Sequence, residues 1–262
     1  MGYEAQPVSA PASSVVRIVT GHVVSSSSMV SRAYLTDSWR GVVVADDDGG
    51  YWLAATLDAL APDEDTLVIR GEVKGGPPRA YGRASLVKIM LSWGTAPDSA
   101  EGSEEVIVAN PRVTKHPGGA SIGVVPLERN RDFAEHIRGG SGPVCFRVST
   151  PHSIVDDSAD INNDSVEVET LACSDDGSYW PVRRRAWFSS ISGADFLGQP
   201  GALALDLALE HIEAGSPAFS HGEPSEVLRG IVRPVGAHIS MLLPLHLIAE
   251  TVAHATSGIS GA

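Results

Sequence analysis

The apolar residues of this chain are grouped in short runs of Val, Ile and Leu, and turn-forming residues interrupt these runs throughout. RGVVVA at 40–45, for example, is followed by the turn sequence DDDGG at 46–50 and then by YWLAA at 51–55. Apolar runs of about four to eight residues bounded by Gly, Pro, Asp or Ser are typical of β-strands. The pattern therefore predicts an all-β, mainly β protein.

The same reading places strands along most of the chain. Leucines alternate with small or charged residues from Leu203 to Leu209, which is the pattern of a strand with one buried face. Near the carboxyl end, Leu245, Ile248, Val252 and Ala255 recur at helical spacing and predict one amphipathic helix. The predicted strands are 14–24, 40–45, 51–55, 65–73, 85–93, 104–109, 120–128, 143–149, 165–173, 180–188, 202–212, 216–220 and 227–235.

A glycine-rich break, GGSGP at 139–143, divides the strands into two groups, and a polar stretch at 128–138 leads to it. Few contacts are expected to cross such a break, so we place a domain boundary there. The amino-terminal residues are rich in Ala, Pro and Ser and are typical of a flexible arm. We therefore predict an arm at 1–13, a first domain at 14–138 and a second domain at 139–262.

Charge and composition narrow the classes of partner. The net charge of −13 is spread over the chain in small acidic groups, which disfavours binding to nucleic acid. No apolar run approaches the roughly 20 residues that span a bilayer, and the first residues do not have the pattern of a secretory signal. Cys145 and Cys173 are the only cysteines, and the histidines lack metal-ligand spacing. We expect a cytosolic protein without a cofactor or metal.

One basic run, Arg183-Arg184-Arg185, lies between Trp180 and Trp187. Arginine and tryptophan are enriched where proteins bind one another, so this segment is a candidate partner-binding surface. A solvated strand face has the same composition. The residues alone leave both interpretations open.

The segment from Glu213 to Phe219, EAGSPAF, is followed after a turn by LRGIV at 228–232. It resembles the nucleophile loop of trypsin-like serine peptidases, in which a Gly-x-Ser-Gly-Gly/Ser-Pro turn precedes a strand and a Gly-Ile/Val pair follows. Gly215, Ser216 and Pro217 match the last three motif positions. The position of the catalytic serine is occupied by Ala214.

The first half is similar to the same family. VVV at 42–44 and YWLAATL at 51–57 resemble the hairpin that ends in Leu-Thr-Ala-Ala-His, and the histidine position is occupied by Leu57. SIGVVPL at 121–127 resembles the segment in which an Asp-Ile/Leu-Ala run carries the third triad residue, and that position is occupied by Ser121. The resemblance covers most of residues 14–262. It implies two perpendicular six-stranded β-barrels with a cleft between them, and a carboxyl-terminal helix that begins near Pro244.

In that family an imidazole activates the serine hydroxyl and a buried carboxylate orients the imidazole. Leu57, Ser121 and Ala214 cannot perform these roles, and three unrelated replacements favour natural loss over a single engineered knockout. The family also needs a glycine two residues before the nucleophile for its oxyanion hole, and Ile212 stands there. A β-branched residue resists the positive φ that this position requires.

The resemblance therefore predicts a chain that is not an enzyme, a degenerate peptidase that serves as a binding or scaffold subunit. Its partner would be a protein or peptide segment, held in the former substrate cleft or at another strand edge. The alternative is an active peptidase or esterase whose nucleophile has moved to Ser216. Pro217 disfavours that alternative because proline has no N–H to offer to an adjoining oxyanion.

Overall fold

The structure is a computed structural model of the 262-residue chain. It describes residues 14–25, 32–35, 39–60, 83–93, 104–127, 130–148, 165–173, 179–189, 196–199, 201–220 and 227–259. The predicted arm at 1–13 and the predicted strand at 65–73 lie outside these ranges.

The first half of the chain forms one antiparallel sheet to which a single parallel strand is added. Its strands are β1 (Val16–Ser25), β2 (Arg32–Leu35), β3 (Trp39–Ala45), β4 (Tyr51–Thr56), β5 (Arg83–Trp93), β6 (Glu104–Ala109), β7 (Thr114–Lys115), β8 (Ile122–Pro126) and β9 (Cys145–Arg147). The strand order is β6-β5-β1-β3-β4-β8-β7, with β2 paired to β1 and β9 paired to β3. Strand β9 lies beyond the predicted boundary at 139 and yet pairs in parallel with β3, where Cys145 faces Val43. The first sheet thus takes one strand from the second predicted domain.

The second half closes into a barrel of six antiparallel strands in the order β10-β11-β12-β15-β14-β13. The strands are β10 (Ser165–Cys173), β11 (Tyr179–Phe188), β12 (Leu203–Asp206), β13 (Ser216–Ser220), β14 (Leu228–Pro234) and β15 (Ser240–Pro244). The predicted mainly β fold, with a closed carboxyl-terminal barrel, is confirmed.

Three α-helices accompany the strands in the described ranges: α1 (Leu57–Leu60), α2 (Arg131–Gly139) and α3 (Leu245–Ile259). Helix α3 begins directly after Pro244, as the resemblance implies. Helix α2 replaces the polar stretch expected at 128–138. It begins where the side chain of Asn130 accepts a hydrogen bond from the N–H of Phe133 at 2.9 Å, and it ends at Gly140 in the left-handed conformation. Phe133 is its buried residue, and Ile137, one helical turn later, is partly buried against the same core cluster.

Two stretches of the second half differ from expectation. The strand predicted at 202–212 ends at Asp206, because the N–H of Leu207 donates to the carbonyl of Leu205 at 2.9 Å in a tight turn. A turn of 3-10 helix follows at His211–Glu213. Strand β15 was not predicted.

The two halves share part of their hydrophobic core. One cluster of buried side chains combines Val42 and Trp52 of the first sheet with Phe219 and Ile231 of the barrel, and Leu247 of α3 packs in the same cluster. The strands that carry the predicted site therefore pack on the same cluster of buried apolar side chains. Within the described ranges, no helix is long and apolar enough to cross a membrane.

Candidate functional site at the junction of the two halves

Leu57 and Ser121, two of the predicted triad positions, are neighbours in the first half. Leu57 follows β4 directly, and its backbone N–H donates to the carbonyl of Ser121 at 3.0 Å. Strands β4 and β8 hold this arrangement by pairing Thr56 with Ile122. The N–H of Ser121 donates to the Oε1 atom of Gln199 at 2.7 Å, so a loop of the second half also fixes this point.

The segment that carries Ala214 is wedged between β3 and β14. The carbonyl of Ala214 accepts a hydrogen bond from the N–H of Arg40 at 3.1 Å, and the N–H of Gly215 donates to the carbonyl of Val232 at 2.8 Å. Gly215 has a φ of +94°, and a Cβ atom there would lie 1.9 Å from the carbonyl oxygen of Arg40. The local shape of this loop requires glycine. The buried Ala214 presents only a methyl group.

Ile212, the predicted oxyanion position, lies half-buried in the 3-10 turn. This turn uses its own N–H groups: the N–H of Ala214 donates to the carbonyl of His211 at 3.2 Å, and the N–H of Glu213 donates to the carbonyl of Glu210 at 2.9 Å. An oxyanion hole needs N–H groups that point at the ligand. In this conformation these two N–H groups serve the turn.

Glu213 is a residue of the site that the sequence reading missed. Its carboxylate is 7% exposed, and one oxygen lies 3.0 Å from Nη2 of Arg184. The other oxygen accepts a hydrogen bond from the backbone N–H of Glu210 at 2.8 Å. The Glu210–Glu213 spacing forms a capping box, a signal that was available in the sequence. Glu213 thus anchors the loop before Ala214 to strand β11.

Ser216, the alternative nucleophile, is fully buried as the first residue of β13. Its hydroxyl donates to the carbonyl of Glu213 at 2.7 Å. This hydrogen bond closes the turn that carries Ala214. The geometry gives Ser216 a structural role in the loop.

An ion pair that the sequence analysis did not predict also lies where the two halves meet. Nε of Arg233, in β14, lies 2.5 Å from Oδ2 of Asp58, and Nη2 of Arg233 lies 2.9 Å from Oδ1. Asp58 follows Leu57, and Arg233 follows Val232, whose carbonyl holds Gly215. The ion pair therefore connects the elements that carry positions 57 and 214. We use the name "the junction" for Leu57, Asp58, Ser121, Arg233 and the loop from Ala214 to Pro217.

His116 supports the turn that leads to Ser121. Its Nδ1 atom accepts hydrogen bonds from the N–H groups of Gly118 at 3.0 Å and Ala120 at 3.3 Å. With Nδ1 used as an acceptor, Nε2 carries the proton and donates to Oε2 of Glu250 in α3 at 3.0 Å. The histidine thus links this turn to the carboxyl-terminal helix. Over the part of the chain that the structure describes, no group of three or more His, Cys, Asp or Glu side chains could hold a metal ion.

The basic run predicted as a partner surface lies on β11, and its side chains are divided between two faces. Arg183 donates twice to the buried carboxylate of Glu169, with both distances 3.0 Å. Arg184 reaches Glu213 on the other side of the strand. One face carries Arg183, Arg185 and Trp187, and the other carries Trp180 and Arg184. The five residues therefore do not form one surface, and a partner on the first face would meet Trp187, which is 42% exposed.

No protein-family model matches the sequence, and no curated protein matches it. Several solved structures are similar to this chain in fold. The HtrA-type protease AlgW, as a serine-to-alanine variant with a decapeptide, is 13% identical with a TM-score of 0.54, and the match covers 94% of this chain and 64% of that one. HL collagenase is 9% identical with a TM-score of 0.51, and the match covers 91% of this chain and 93% of that one. The active form of a protease from M. tuberculosis is 12% identical with a TM-score of 0.43, covering 92% and 79%.

The chain therefore has the trypsin-like protease fold, and it spans less than two thirds of the AlgW chain. The prediction that it is not an enzyme is wrong, since structures that share this fold include proteases such as the collagenase. The physical reason is that Leu57, Ser121 and Ala214 show only that the side chains of one catalytic triad are absent from three positions. The absence of these side chains does not establish that the chain is inactive.

Proposed function

We propose that this protease-like chain binds an extended segment of a partner protein at the junction and acts as a binding or assembly subunit through that contact. The observation that carries the proposal is that strand β14 pairs over a longer stretch with β15 than with β13. Towards β13, the register ends where Val232 faces Ser216. Towards β15, it continues to Pro234, which faces Ser240. Among the described strands, Arg233 and Pro234 thus have a partner strand on one side only.

A short strand edge beside a shaped loop suits a ligand in extended conformation. Main-chain hydrogen bonds supply affinity when a peptide adds to such an edge, and at Pro234 only the carbonyl can take part because proline has no N–H. Pockets for alternate side chains supply specificity. The AlgW variant, which has the same fold, was solved with a decapeptide, and this supports a peptide ligand here.

The side chains at the junction suit contact with a peptide. Leu57 is apolar and partly exposed, whereas Ala214 is buried and the buried Ser216 hydroxyl is engaged by the Glu213 carbonyl. Arg233 adds one charged group, which is partly exposed to solvent. Apolar surface beside a few placed polar groups is the usual composition of a ligand site.

Fluorescence anisotropy with a labelled pool of random decapeptides tests the proposal. We expect saturable binding, which a pool with N-methylated backbone amides should lose, because N-methyl groups cannot donate to a strand edge. Leu57→Arg places a long charged side chain at the junction and should reduce binding. Arg131→Glu, at a side chain 88% exposed on α2, is the matched control and should leave binding unchanged. Equal binding of the N-methylated pool, or binding unaffected by Leu57→Arg, would overturn the proposal.

A fluorophosphonate probe distinguishes the alternative of a Ser216 nucleophile. The buried, hydrogen-bonded hydroxyl should resist the probe. Labelling of Ser216, located by mass spectrometry, would favour a hydrolase with its nucleophile at that residue.

A further inference from the structure

The guanidinium of Arg233 holds both oxygens of Asp58 in a bidentate contact at the junction. We propose that this guanidinium is a carboxylate-recognition site for the bound peptide, and that Asp58 occupies it when no peptide is present. The inference rests on the proposed function and names the chemical class of ligand. The carboxylate is either an acidic side chain of the peptide or its carboxyl terminus.

The geometry of the contact fits recognition of a carboxylate. Parallel N–H groups of an arginine match the two oxygens of a carboxylate in spacing and direction, and they give both strength and orientation. Asp58 therefore marks the position that a ligand carboxylate would take. Since Arg233 lies on the strand edge where the peptide is proposed to bind, a peptide side chain can reach this position.

Exposure and partners distinguish Asp58 from Glu213 and Glu169, the two buried carboxylates of the second half that pair with arginines. Asp58 and Arg233 have side chains that are 23% and 29% exposed, whereas those of Glu213 and Glu169 are 7% and 3% exposed. Glu213 also holds the backbone N–H of Glu210, and Glu169 holds that of Ser14. Among the contacts between described residues, Asp58 is engaged by Arg233 alone. A competing carboxylate can therefore replace Asp58 without disturbing a backbone hydrogen bond.

Competition between Asp58 and the ligand gives a signature that a purely structural ion pair would not give. An internal group is present at a high effective concentration and weakens the apparent affinity of any external competitor. Asp58→Asn removes the competing charge and should raise the affinity for a carboxylate-containing peptide about threefold to tenfold. Arg233→Gln removes the binding group and should lower that affinity by about tenfold. If the ion pair only maintained the fold, both variants would weaken binding or leave it unchanged.

Three labelled decapeptide pools provide the probe, each random at the remaining positions. The first has a fixed central Glu and an amidated carboxyl terminus, the second has Gln and an amidated terminus, and the third has Gln and a free terminus. We expect the wild-type chain to prefer the first or the third pool over the second, and the preferred pool identifies the source of the carboxylate. Asp58→Asn should increase that preference, and Arg233→Gln should abolish it.

Arg233→Lys keeps the charge and removes the bidentate fork, so it should give an intermediate preference and serves as a second variant if Arg233→Gln fails to fold. Circular dichroism and thermal melting check the fold of each variant. If all three pools bind equally well, or if Asp58→Asn weakens binding of the carboxylate pools, the inference is overturned and the proposed peptide function stands. If no pool binds, the proposed function fails and the inference fails with it.

Discussion

The carbonyl oxygen of Arg40 and the α-carbon of Gly215 approach each other so closely that no side chain can be placed between them. A Cβ atom at position 215 would lie 1.9 Å from that oxygen, and the φ of +94° at Gly215 already disfavours other residues. The loop that carries Ala214 therefore packs directly on strand β3 through backbone atoms. Its position depends on this one glycine.

Gly215→Ala should destabilise the chain by about 3 kcal/mol or more, because it combines an unfavourable φ with a steric overlap that backbone movement must relieve. Gly49→Ala is the matched control, since Gly49 has a φ of +83° and a Cβ atom there would meet no atom of the described residues within 4 Å. That variant should cost only about 1 kcal/mol. Urea unfolding followed by circular dichroism measures both. Equal losses would show that the overlap with Arg40 is relieved without cost.

The ion pair between Arg184 and Glu213 predicts a measurable coupling energy. Glu213 is almost fully buried, so loss of its cation leaves a desolvated carboxylate, whereas Arg184 is 42% exposed and its charge is screened by water. In a double-mutant cycle with Arg184→Ala and Glu213→Gln, we expect a coupling energy of about 1 kcal/mol. Arg185→Ala, on the other face of β11, should show no coupling to Glu213→Gln. Coupling of the same size for Arg185 would refute a specific contact.

His22 predicts a pH dependence of stability. It is buried in β1, where its Nε2 atom lies 3.1 Å from Oγ1 of Thr20, and desolvation by burial lowers its pKa below the usual 6.5. Below pH 6.5 the unfolded chain takes up a proton at this residue, while the folded chain resists it. The contribution of His22 is therefore fully present above this pH and is lost as the pH falls below it.

His22→Gln keeps a polar side chain and does not titrate. Between about pH 7 and pH 5.5, the wild-type chain should lose more stability than this variant, because only the wild-type chain has a buried imidazole that resists protonation. Urea denaturation at each pH measures the difference. Parallel pH profiles for the two proteins would contradict the assignment.

Sequence reading succeeded where a short stretch of chain fixes its own conformation. The turn at Gly215, Ser216 and Pro217 and the helix after Pro244 depend on local residue types, and both were recognised. Helix α2 was missed because its nine residues are mostly polar, although Phe133 and Ile137 are spaced by one helical turn and Asn130 is a favourable cap.

The groups that shape the junction depend on contacts across the fold. Asp58 and Arg233 are separated by 175 residues, and each is an ordinary charged residue in its own segment. Only the closure of the barrel against the first sheet brings them together. The contact of Arg184 with Glu213 is of the same kind, although the capping box at Glu210 and Glu213 was visible in the sequence. The motif positions can thus be recognised from neighbouring residues in the sequence. The ion pairs around them form only when distant segments of the chain pack together.

The thiol of Cys145 should react slowly with alkylating reagents while the chain is folded. Burial raises its pKa to about 11 from a reference of 9.0, and its Sγ atom lies 3.5 Å from the carbonyl of Pro143. Because the thiolate is the reactive form, alkylation by iodoacetamide near pH 8 should be about 100-fold slower than for a free peptide thiol. Mass spectrometry of the peptide that contains Cys145 follows the reaction, and unfolding in urea should restore the ordinary rate. Rapid alkylation of the folded chain would show that strand β9 separates from β3 readily, and that the parallel strand is a weakly held part of the first sheet.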